Sequence, residues 1–472
     1  MEGFTDTGGL FAVAGHREAV HLTYLGLHAQ QHRGTDGVGL AASDGSLLRL
    51  RHAEGFVAQA LDGASLQLLP GQVAMGVVYG SDTAALPAPT LEIPGSSRGD
   101  QLVFGRLSTG QVACAISGHF TNGARLRREL TANGALFQTP SDAELLLHLL
   151  AQSTQRTFVN RLVDALWKVQ GAYSLIVMTE EHLVAVRDPS GFRPLSLGRL
   201  GDAMVVATED SAIRFVGGEV RRDIRAGEMV VFDGRMQQGV RPFSPAELHP
   251  CVHEYVSLAR PDAQVFGRAV HPIQVALGER LANEAPCVQA DVIIPVPGAE
   301  AHGHGFAKAM ERPLLDGILR DPFTVLHLEE PPAGLPHFGT RAHFRPIPAA
   351  VQGQIVCLVA PSLTTGHVLR KAIALLQEAG AKEVHLRIAS PQIRAACPYG
   401  VASPAAEQLA TEHEGDPAAW LGAATVAWLS LIALQQVAAG TTPGDGRCDA
   451  CFSGKVPLVY EETDDQLPLF DA

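Results

Sequence analysis

The segment QIVCLVAPSLTTGHVLRKAIALLQEAGAKEVHLRIAS (354–390) decides the fold of the second half of the chain. It contains two continuous apolar runs, at 354–362 and 382–390, on either side of a helical pattern at 367–381. A third apolar run, DVIIPVPG (291–298), precedes another helical pattern. Apolar runs that alternate with helices are typical of a parallel sheet with both faces buried. We therefore predict a doubly wound α/β domain in this half.

Toward the N-terminus the pattern changes to clusters of strands with separate helices. Short runs rich in Val, Ile, Leu and Ala predict strands at 73–80, 111–118, 173–180, 203–210 and 228–234. Helical periodicity is found over 16–32, 123–133, 142–152 and 160–169, the third with Ser141 as a candidate cap. This pattern predicts an α+β layered domain over residues 1–240, followed by the α/β domain over residues 241–472.

The charge balance and the apolar stretches exclude several classes of protein. The 472 residues include 36 Lys and Arg against 49 Asp and Glu, for a formal net charge of −13, so binding to nucleic-acid phosphates is not expected. The chain starts without a basic region followed by an apolar leader. The longest apolar stretch, 423–439, contains Ser430, Gln435 and Gln436, which favours a buried helix over a membrane span. We expect a cytoplasmic protein with no nucleic-acid or membrane partner.

Four longer strings occur in order along the chain. They are YLGLHAQQHRGTDGVGL (24–40), RDPSGFRPLSLG (187–198), CVHEYVSLARPDA (251–263) and RCDACFSGKVP (447–457). Together they resemble the amidophosphoribosyltransferase family, and in particular its iron-sulfur branch. The resemblance implies an αββα glutaminase-like domain of the N-terminal-nucleophile type, followed by a phosphoribosyltransferase-type α/β domain with a mostly parallel sheet. In that family, ammonia released from glutamine is added to a ribosyl donor in purine biosynthesis.

The resemblance places Gly8 where the family has its nucleophilic cysteine. Glycine has no side chain, so it cannot attack an amide. Tyr79 stands at the position of an arginine that binds the glutamine carboxylate, and Ser117 at that of an asparagine that donates to the oxyanion. Arg33 and Asp142 remain as substrate-binding remnants, although internal ion pairs explain them more readily. We therefore predict no catalytic residue in the first domain.

The second domain departs from the family in the same way. Ala360 and Pro361 replace two adjacent carboxylates that contact the ribose hydroxyls. In the loop that follows, Ser362, Thr364 and Gly366 remain typical of a phosphate-binding turn, and a generic strand-to-helix turn explains them equally well.

The loop that would bind the diphosphate also differs from the family. It reads Gly298-Ala299-Glu300, and the Glu300 carboxylate would repel an anion. His302 and His304 follow it. An HxH pair can ligate a metal, but we predict two solvated loop histidines.

The seven cysteines point to metal binding or catalysis before disulfides, because a reducing compartment disfavours disulfides. Four of them fall at the positions that ligate a 4Fe-4S cluster in the iron-sulfur branch: Cys251, Cys397, Cys448 and Cys451. Soft thiolate ligands suit iron-sulfur chemistry, and a zinc site made of the same four residues is the alternative. The other three lie in apolar runs and are predicted to be core residues: Cys114, Cys287 and Cys357.

Charged residues in two of the strings are predicted to have structural roles. We expect buried charge-assisted bonds within the first domain from Arg187, Asp188 and Arg193. We expect ties between the two domains from Glu254, Arg260 and Asp262.

These observations lead to one leading hypothesis and two alternatives. The leading hypothesis is a catalytically degenerate paralogue that retains a metal centre for a structural, regulatory or redox-sensing role. It would form a homo-oligomer, or a hetero-oligomer with an active homologue. The first alternative is a working amidophosphoribosyltransferase that forms 5-phosphoribosylamine in de novo purine biosynthesis. The second is a module that binds a small-molecule nucleotide.

Overall fold

The structure is a computed structural model that describes residues 5–6, 8–80, 101–234, 237–320, 344–402, 416–439 and 446–458. Up to residue 240 the chain forms two antiparallel sheets that pack face to face. The seven-stranded sheet has the order Glu219–Asp223, Ser196–Leu200, Ala203–Ala207, Gly9–Ala14, Val73–Tyr79, Gly37–Ser43 and Leu48–Glu54. The six-stranded sheet has the order Gln237–Val240, Met229–Phe232, Leu183–Arg187, Gly171–Thr179, Gly110–Phe120 and Leu102–Leu107. Buried side chains from both sheets form one core between them, for example Met75 and Val77 with Ile176.

Helices cover the outer face of each sheet. The seven-stranded sheet packs against Ala19–Ala29, Val57–Ala60, Gly63–Gln67 and Asp210–Phe215. The six-stranded sheet packs against Gly123–Ala132, Asp142–Gln152 and Phe158–Leu166. The four layers confirm the αββα architecture that the resemblance implied.

The second domain is built on a four-stranded parallel sheet. Its strands, in spatial order, are Val292–Pro295, Ile355–Ala360, Glu383–Ile388 and Thr425–Trp428. One face packs against the helices Val270–Glu284, Glu300–Met310 and Leu431–Ala438, and the other against Pro348–Val351, His367–Glu378 and Pro417–Leu421. Helices on both faces bury most residues of the three strands Val292–Pro295, Ile355–Ala360 and Glu383–Ile388, which explains their largely apolar sequences. The predicted α/β domain is confirmed.

Smaller elements connect these layers. They are the 3-10 turn Gln31–Arg33, the π-helical turn Glu254–Leu258, the helix Ala450–Ser453, and the paired strands Thr5–Asp6 with Val401–Ala402, Gln264–Val265 with Arg268–Ala269, and Ile318–Arg320 with Phe344–Pro346.

Local sequence signals succeed at one helix and fail at another. Ser141 caps the helix Asp142–Gln152, as predicted, because its hydroxyl accepts from Ala143 N at 3.2 Å. The single helix predicted over 423–439 is wrong. This stretch divides into the strand Thr425–Trp428 and the helix Leu431–Ala438, with Ser430 as the cap between them. Among the described residues, no helix is long and apolar enough to cross a membrane.

Candidate functional site

Gly8 lies buried at the start of the strand Gly9–Ala14, in the middle of the seven-stranded sheet. A methyl group added to Gly8 would lie 3.0 Å from Val77 Cγ2 and 3.1 Å from the Val78 carbonyl oxygen. It would also lie 3.6 Å from the Ile116 carbonyl oxygen, so the structure brings Gly8 beside the part of the strand Gly110–Phe120 that contains Ser117. A Cβ atom at this position would therefore be crowded and would require a small shift of Val77 or of the Val78 backbone.

Tyr79 and Ser117, which replace the expected arginine and asparagine, are both buried. The Tyr79 ring packs on Gly37 so closely that a methyl group there would lie 2.3 Å from a ring carbon. The Ser117 hydroxyl has no hydrogen-bond partner among the described residues. These two side chains supply packing and one unsatisfied hydroxyl in place of a cation and an amide donor.

A segment of the second domain closes over this region. A methyl group added to Gly400 would lie 2.6 Å from the carbonyl carbon of Gly118, so the two backbones are in direct contact. The next two residues, Val401–Ala402, pair antiparallel with Thr5–Asp6, which leads into Gly8. The chain that enters Gly8 is thus tied to the second domain by a short sheet.

Arg33 is fully buried between two carboxylates from distant parts of the chain. Its Nε donates to Glu209 Oε1 at 2.5 Å and its Nη2 to Glu254 Oε2 at 2.6 Å. His32 Nε2 lies 2.6 Å from the same Glu209 oxygen. Burial alone would raise the pKa of Glu209, but His32 and Arg33 hold it well below its ordinary value. These contacts place Arg33 in an internal ion-pair network.

This network joins the two domains. Glu254 belongs to the second domain, and Arg193 Nη1 of the first domain lies 3.8 Å from its Oε1. Arg260 N donates to Glu209 Oε2 at 3.1 Å, and Arg214 donates to the Asp262 carbonyl oxygen at 2.7 Å. The ties predicted for residues 254, 260 and 262 are present.

Asp142 is placed away from this network, at the start of its helix. Its Oδ2 lies 2.7 Å from His119 Nδ1 and accepts from Phe120 N at 2.8 Å. Burial opposes ionisation of Asp142, but His119 and Arg127 together hold its pKa below the ordinary value. The carboxylate fixes the end of the strand Gly110–Phe120 to the helix.

The string RDPSGFRP forms a buried polar turn. Arg187 donates to three carbonyl oxygens, those of Arg193, Gly191 and Ile224, at 2.7, 2.7 and 2.9 Å. Asp188 accepts from Ser190 N and Phe192 N at 2.9 and 3.0 Å. Burial raises the pKa of Asp188 to about 6, and Arg187 opposes this effect. Arg187 and Asp188 make the buried bonds predicted within the first domain. Arg193 differs from the prediction, because its side chain contacts Glu254 and the Gly400 carbonyl oxygen of the second domain.

In the second domain, the turn after the strand Ile355–Ala360 is tightly packed. Ser362 and Thr364 are buried, and the Ser362 hydroxyl has no hydrogen-bond partner among the described residues. Gly366 has φ +80°, and a methyl group there would lie 2.3 Å from the Trp420 ring. Gly366 is therefore required both for its backbone conformation and for the close approach of Trp420.

In the loop at Gly298, the Glu300 side chain binds the backbone of the loop itself. Gly298 N donates to Glu300 Oε1 at 2.9 Å, so the carboxylate occupies a backbone donor that an anion would otherwise contact.

His302 and His304 lie on the helix Glu300–Met310, and the prediction of two solvated loop histidines is wrong. His302 is fully buried, and neither ring nitrogen has a hydrogen-bond partner among the described residues. His304 is exposed.

The four predicted metal ligands come together from three segments. Cys251 and Cys448 are partners in a parallel bridge, in which Val252 N donates to the Cys448 carbonyl oxygen at 3.1 Å. Arg394 N donates to the Cys451 carbonyl oxygen at 2.8 Å, which fixes the segment before Cys397 beside the CxxC turn. We call these four residues the thiol cage.

Burial and mutual repulsion dominate the electrostatics of the thiol cage. Burial raises the pKa of Cys251 to about 12, and Cys397 adds to this effect. Burial also raises the pKa values of Cys448 and Cys451, and neighbouring thiols of the cage add to it. All four thiols are unbridged. In the described part of the chain, no three His, Cys, Asp or Glu side chains are grouped as a site for one metal ion.

Sequence reasoning missed two features of these regions. Glu209, the central partner of Arg33, lies 176 residues away, and nothing in its local sequence marks it. Cys287 and Cys357 were assigned only to the core, whereas each of these thiols influences the ionisation of the other. Their positions in separate apolar runs carry no signal of that contact.

Comparison with known proteins agrees with the fold. A family model described as a glutamine amidotransferase domain matches residues 89–215. Amidophosphoribosyltransferase from Rhizobium etli is 35% identical over 462 residues, covering 95% of this chain and 91% of that protein. The protein of the same name from Bacillus subtilis is 33% identical over 470 residues, covering 98% and 97%.

Two solved structures share the whole two-domain layout. Glutamine phosphoribosylpyrophosphate amidotransferase from Bacillus subtilis, complexed with ADP and GMP, has a TM-score of 0.87 and 31% identity, covering 96% of this chain and 98% of that one. A structure described as the allosteric regulatory enzyme of purine biosynthesis has a TM-score of 0.89 and 32% identity, covering 96% and 97%.

Proposed function

Because the chain belongs to the amidophosphoribosyltransferase family, we propose that it is a member in which both reaction sites have been rebuilt. In this proposal it has neither glutaminase nor phosphoribosyl transfer activity. The thiol cage holds a metal centre whose role is structural, regulatory or redox-sensing. The family membership is established, and the loss of activity is the proposed step.

The surroundings of Gly8 carry this proposal. The position has no side chain, and Val77 and Val78 lie so close that even one methyl group is crowded. A thiol nucleophile would need both its sulfur and an open path to the substrate. Ser117 stands where the resemblance implies an oxyanion donor, and loss of such a donor alone costs roughly 10²- to 10³-fold in rate.

The second domain supports the same conclusion. Ala360 and Pro361 provide no oxygen for the ribose hydroxyls. The Glu300 carboxylate already accepts from Gly298 N, so a bound diphosphate would have to displace an anion from that donor. Both losses affect binding of the ribosyl donor.

Of the two possible metal centres, we propose a 4Fe-4S cluster held by the thiol cage. Around a single zinc ion, bonds of about 2.3 Å bring thiolate sulfurs to within about 3.8 Å of one another. In a cuboidal cluster each thiolate binds a different iron, so the cage is wider. The four thiols influence one another's ionisation, which supports one shared site, and the resemblance of the surrounding strings to the iron-sulfur branch favours the cluster over zinc. When bound, such a cluster supplies one-electron redox chemistry.

The test is an assay of both half-reactions on the full chain purified without oxygen. Glutamate release from glutamine and diphosphate release from phosphoribosylpyrophosphate are measured beside the Bacillus subtilis relative as a positive control. We expect both rates to lie at least about 10³-fold below those of the relative. Turnover of either substrate above that level would overturn the proposal.

The second candidate is a working amidophosphoribosyltransferase. The sequence identity favours this candidate, because the chain is 33% to 37% identical, over nearly its whole length, to proteins named amidophosphoribosyltransferase. This candidate predicts that ammonium salts support diphosphate release even if glutamine does not, since the second domain would act alone. Absence of both activities would rule it out.

Nucleotide binding and assembly complete the proposal. The Bacillus subtilis relative was solved with ADP and GMP, so a purine nucleotide is a candidate ligand of this chain. We expect one of these nucleotides to raise the melting temperature, and no shift with either would argue against the nucleotide-binding role. The proposed homo-oligomer, or hetero-oligomer with an active homologue, is tested by light scattering of the chain alone and mixed with that homologue.

A further inference from the structure

Cys287 and Cys357 form a second thiol site, outside the thiol cage. Cys357 lies in the strand Ile355–Ala360, opposite Ile293 on one neighbouring strand and His385 on the other. Cys287 lies in the turn after the helix Val270–Glu284. Both side chains belong to the core on one face of the parallel sheet. Gln289 Nε2, two residues after Cys287, lies 3.4 Å from Nδ1 of His385, the register partner of Cys357, so the turn lies beside the strand that carries Cys357. Both thiols are unbridged.

Two arginines hold the turn that carries Cys287. Arg387 donates to the carbonyl oxygens of Ala285 and Pro286 at 2.8 and 3.2 Å, and Arg312 donates to that of Val288 at 2.9 Å. The neighbouring Cys357 thiol and the positive charge of Arg387 lower the pKa of Cys287 from its ordinary value, while burial opposes them. Burial raises the pKa of Cys357. The pair therefore joins one thiol that ionises more easily to one that stays protonated.

Access to Cys287 is through a single surface turn. The Cys287 side chain is buried, but Pro286, Val288 and Gln289 on either side are exposed. A small oxidant needs only a local opening of this turn, whereas Cys357 lies deep within the sheet. This difference assigns the first oxidation to Cys287.

We propose that Cys287 and Cys357 are a redox modification site that forms a reversible disulfide with hydrogen peroxide as the oxidant. The Cys287 thiolate attacks one peroxide oxygen, the O–O bond breaks, and hydroxide leaves, which gives a sulfenic acid. The Cys357 sulfur then attacks the Cys287 sulfur, the S–O bond breaks, and the Cys357 proton leaves with that oxygen as water. Two thiols are oxidised and one peroxide is reduced to two equivalents of water.

The disulfide would fasten the turn to the strand Ile355–Ala360, which leads directly into the turn containing Ser362 and Gly366. It closes a loop of about 70 residues, and cross-links over loops of that length restrict the unfolded chain strongly. The site is independent of whether the chain is an enzyme, because it uses residues of neither reaction site.

The test maps the linkage after oxidation of the folded, full chain. The protein is treated with hydrogen peroxide, denatured with N-ethylmaleimide, and digested with trypsin. The expected peptides, 281–308 and 342–370, contain one cysteine each, so a linked pair identifies the bond without ambiguity. We expect that pair, its loss with dithiothreitol, and a melting temperature about 5 °C or more above that of the reduced protein.

Two variants and one internal control complete the test. In Cys357→Ala the sulfenic acid on Cys287 persists and is trapped by dimedone, whereas in Cys287→Ser the Cys357 thiol stays reduced. Cys114, whose burial raises its pKa to about 12, is expected to remain unlinked throughout. Recovery of residues 281–308 and 342–370 as separate alkylated peptides from oxidised wild type, or a link from Cys287 to any other cysteine, would overturn the proposal. Both outcomes can be read from wild type if a variant fails to fold.

Discussion

The Gly8 region and the thiol cage share the segment 397–402 but differ in what their residues can do. Cys397, at one end of that segment, belongs to the cage, while Gly400 packs on Gly118 and Val401–Ala402 pairs with the strand that leads into Gly8. The Gly8 region has packing where the family resemblance implies reactive groups. The thiol cage has all four expected ligands. If the proposed function is correct, groups needed for folding have remained in this chain while groups needed only for chemistry have been replaced.

The ion-pair network of Arg33 belongs with the thiol cage in this respect. Arg33, Glu209 and Glu254 are fully buried, and Arg33 pairs with both carboxylates, so each of the three is costly to remove alone. Such groups are required for the stability of the fold even when they bind no substrate.

The largest effect is expected from breaking the thiol cage. Cys448→Ser removes one of the four ligands, and we expect loss of the metal together with several kcal/mol of stability, because metal binding and folding are coupled. Urea unfolding and metal analysis of the purified variant measure both. Cys114→Ala is the matched control, a buried cysteine outside the cage that should retain the full metal content. Equal metal content in the two variants would show that the thiol cage does not bind the metal.

The next effect is expected from the ion-pair network. Arg33→Met leaves Glu209 and Glu254 buried without their shared cation, and we expect a loss of about 3–5 kcal/mol in the free energy of unfolding. Arg125→Met is the control, since its pair with Glu129 is exposed and should contribute less than about 1 kcal/mol. Similar losses in both variants would contradict a structural role specific to Arg33.

These predictions also mark how far the sequence leads. The periodicity of 142–152 fixed both ends of that helix, and continuous apolar runs identified three of the four parallel strands. The fourth, Thr425–Trp428, was hidden in the apolar stretch 423–439, because a short buried strand and a buried helix have the same composition there. The sequence alone allowed each residue to be compared with the family's residue at the same position. The partners of Arg33 could not be found in this way, because they come from segments about 180 and 220 residues away.

The free energy of unfolding is expected to depend on pH through His302, which lies on the helix that follows the loop at Gly298. Burial lowers the pKa of His302 to about 3 from an ordinary 6.5, so below pH 6.5 the unfolded chain takes up a proton that the folded chain does not. Stability therefore falls as the pH decreases. In His302→Leu this loss disappears, and its stability relative to wild type should rise by about 2 kcal/mol between pH 7.5 and pH 5.

Urea unfolding at the two pH values measures this difference. His304→Leu is the control, because His304 is exposed on the same helix and loses little hydration on folding. An equal pH dependence in His302→Leu and wild type would show that His302 is not buried as a neutral ring.

The smallest effect is expected at Gly8 itself. Gly8→Cys restores a thiol, but its Cβ would crowd Val77 and Val78, and Tyr79 and Ser117 would remain. We expect a cost of about 1 kcal/mol and no glutamate release. Gly8→Ala is the matched control, because it adds the same Cβ without sulfur. Glutaminase activity in the cysteine variant alone would show that the rest of the first site is intact.

The most direct test of the account is the metal content of wild type purified without oxygen. If the thiol cage holds a 4Fe-4S cluster, iron and acid-labile sulfide should each reach about four per chain, with zinc near background. One zinc per chain, or a folded protein with no metal, would contradict the claim that the chain has retained this cluster while losing its reaction sites.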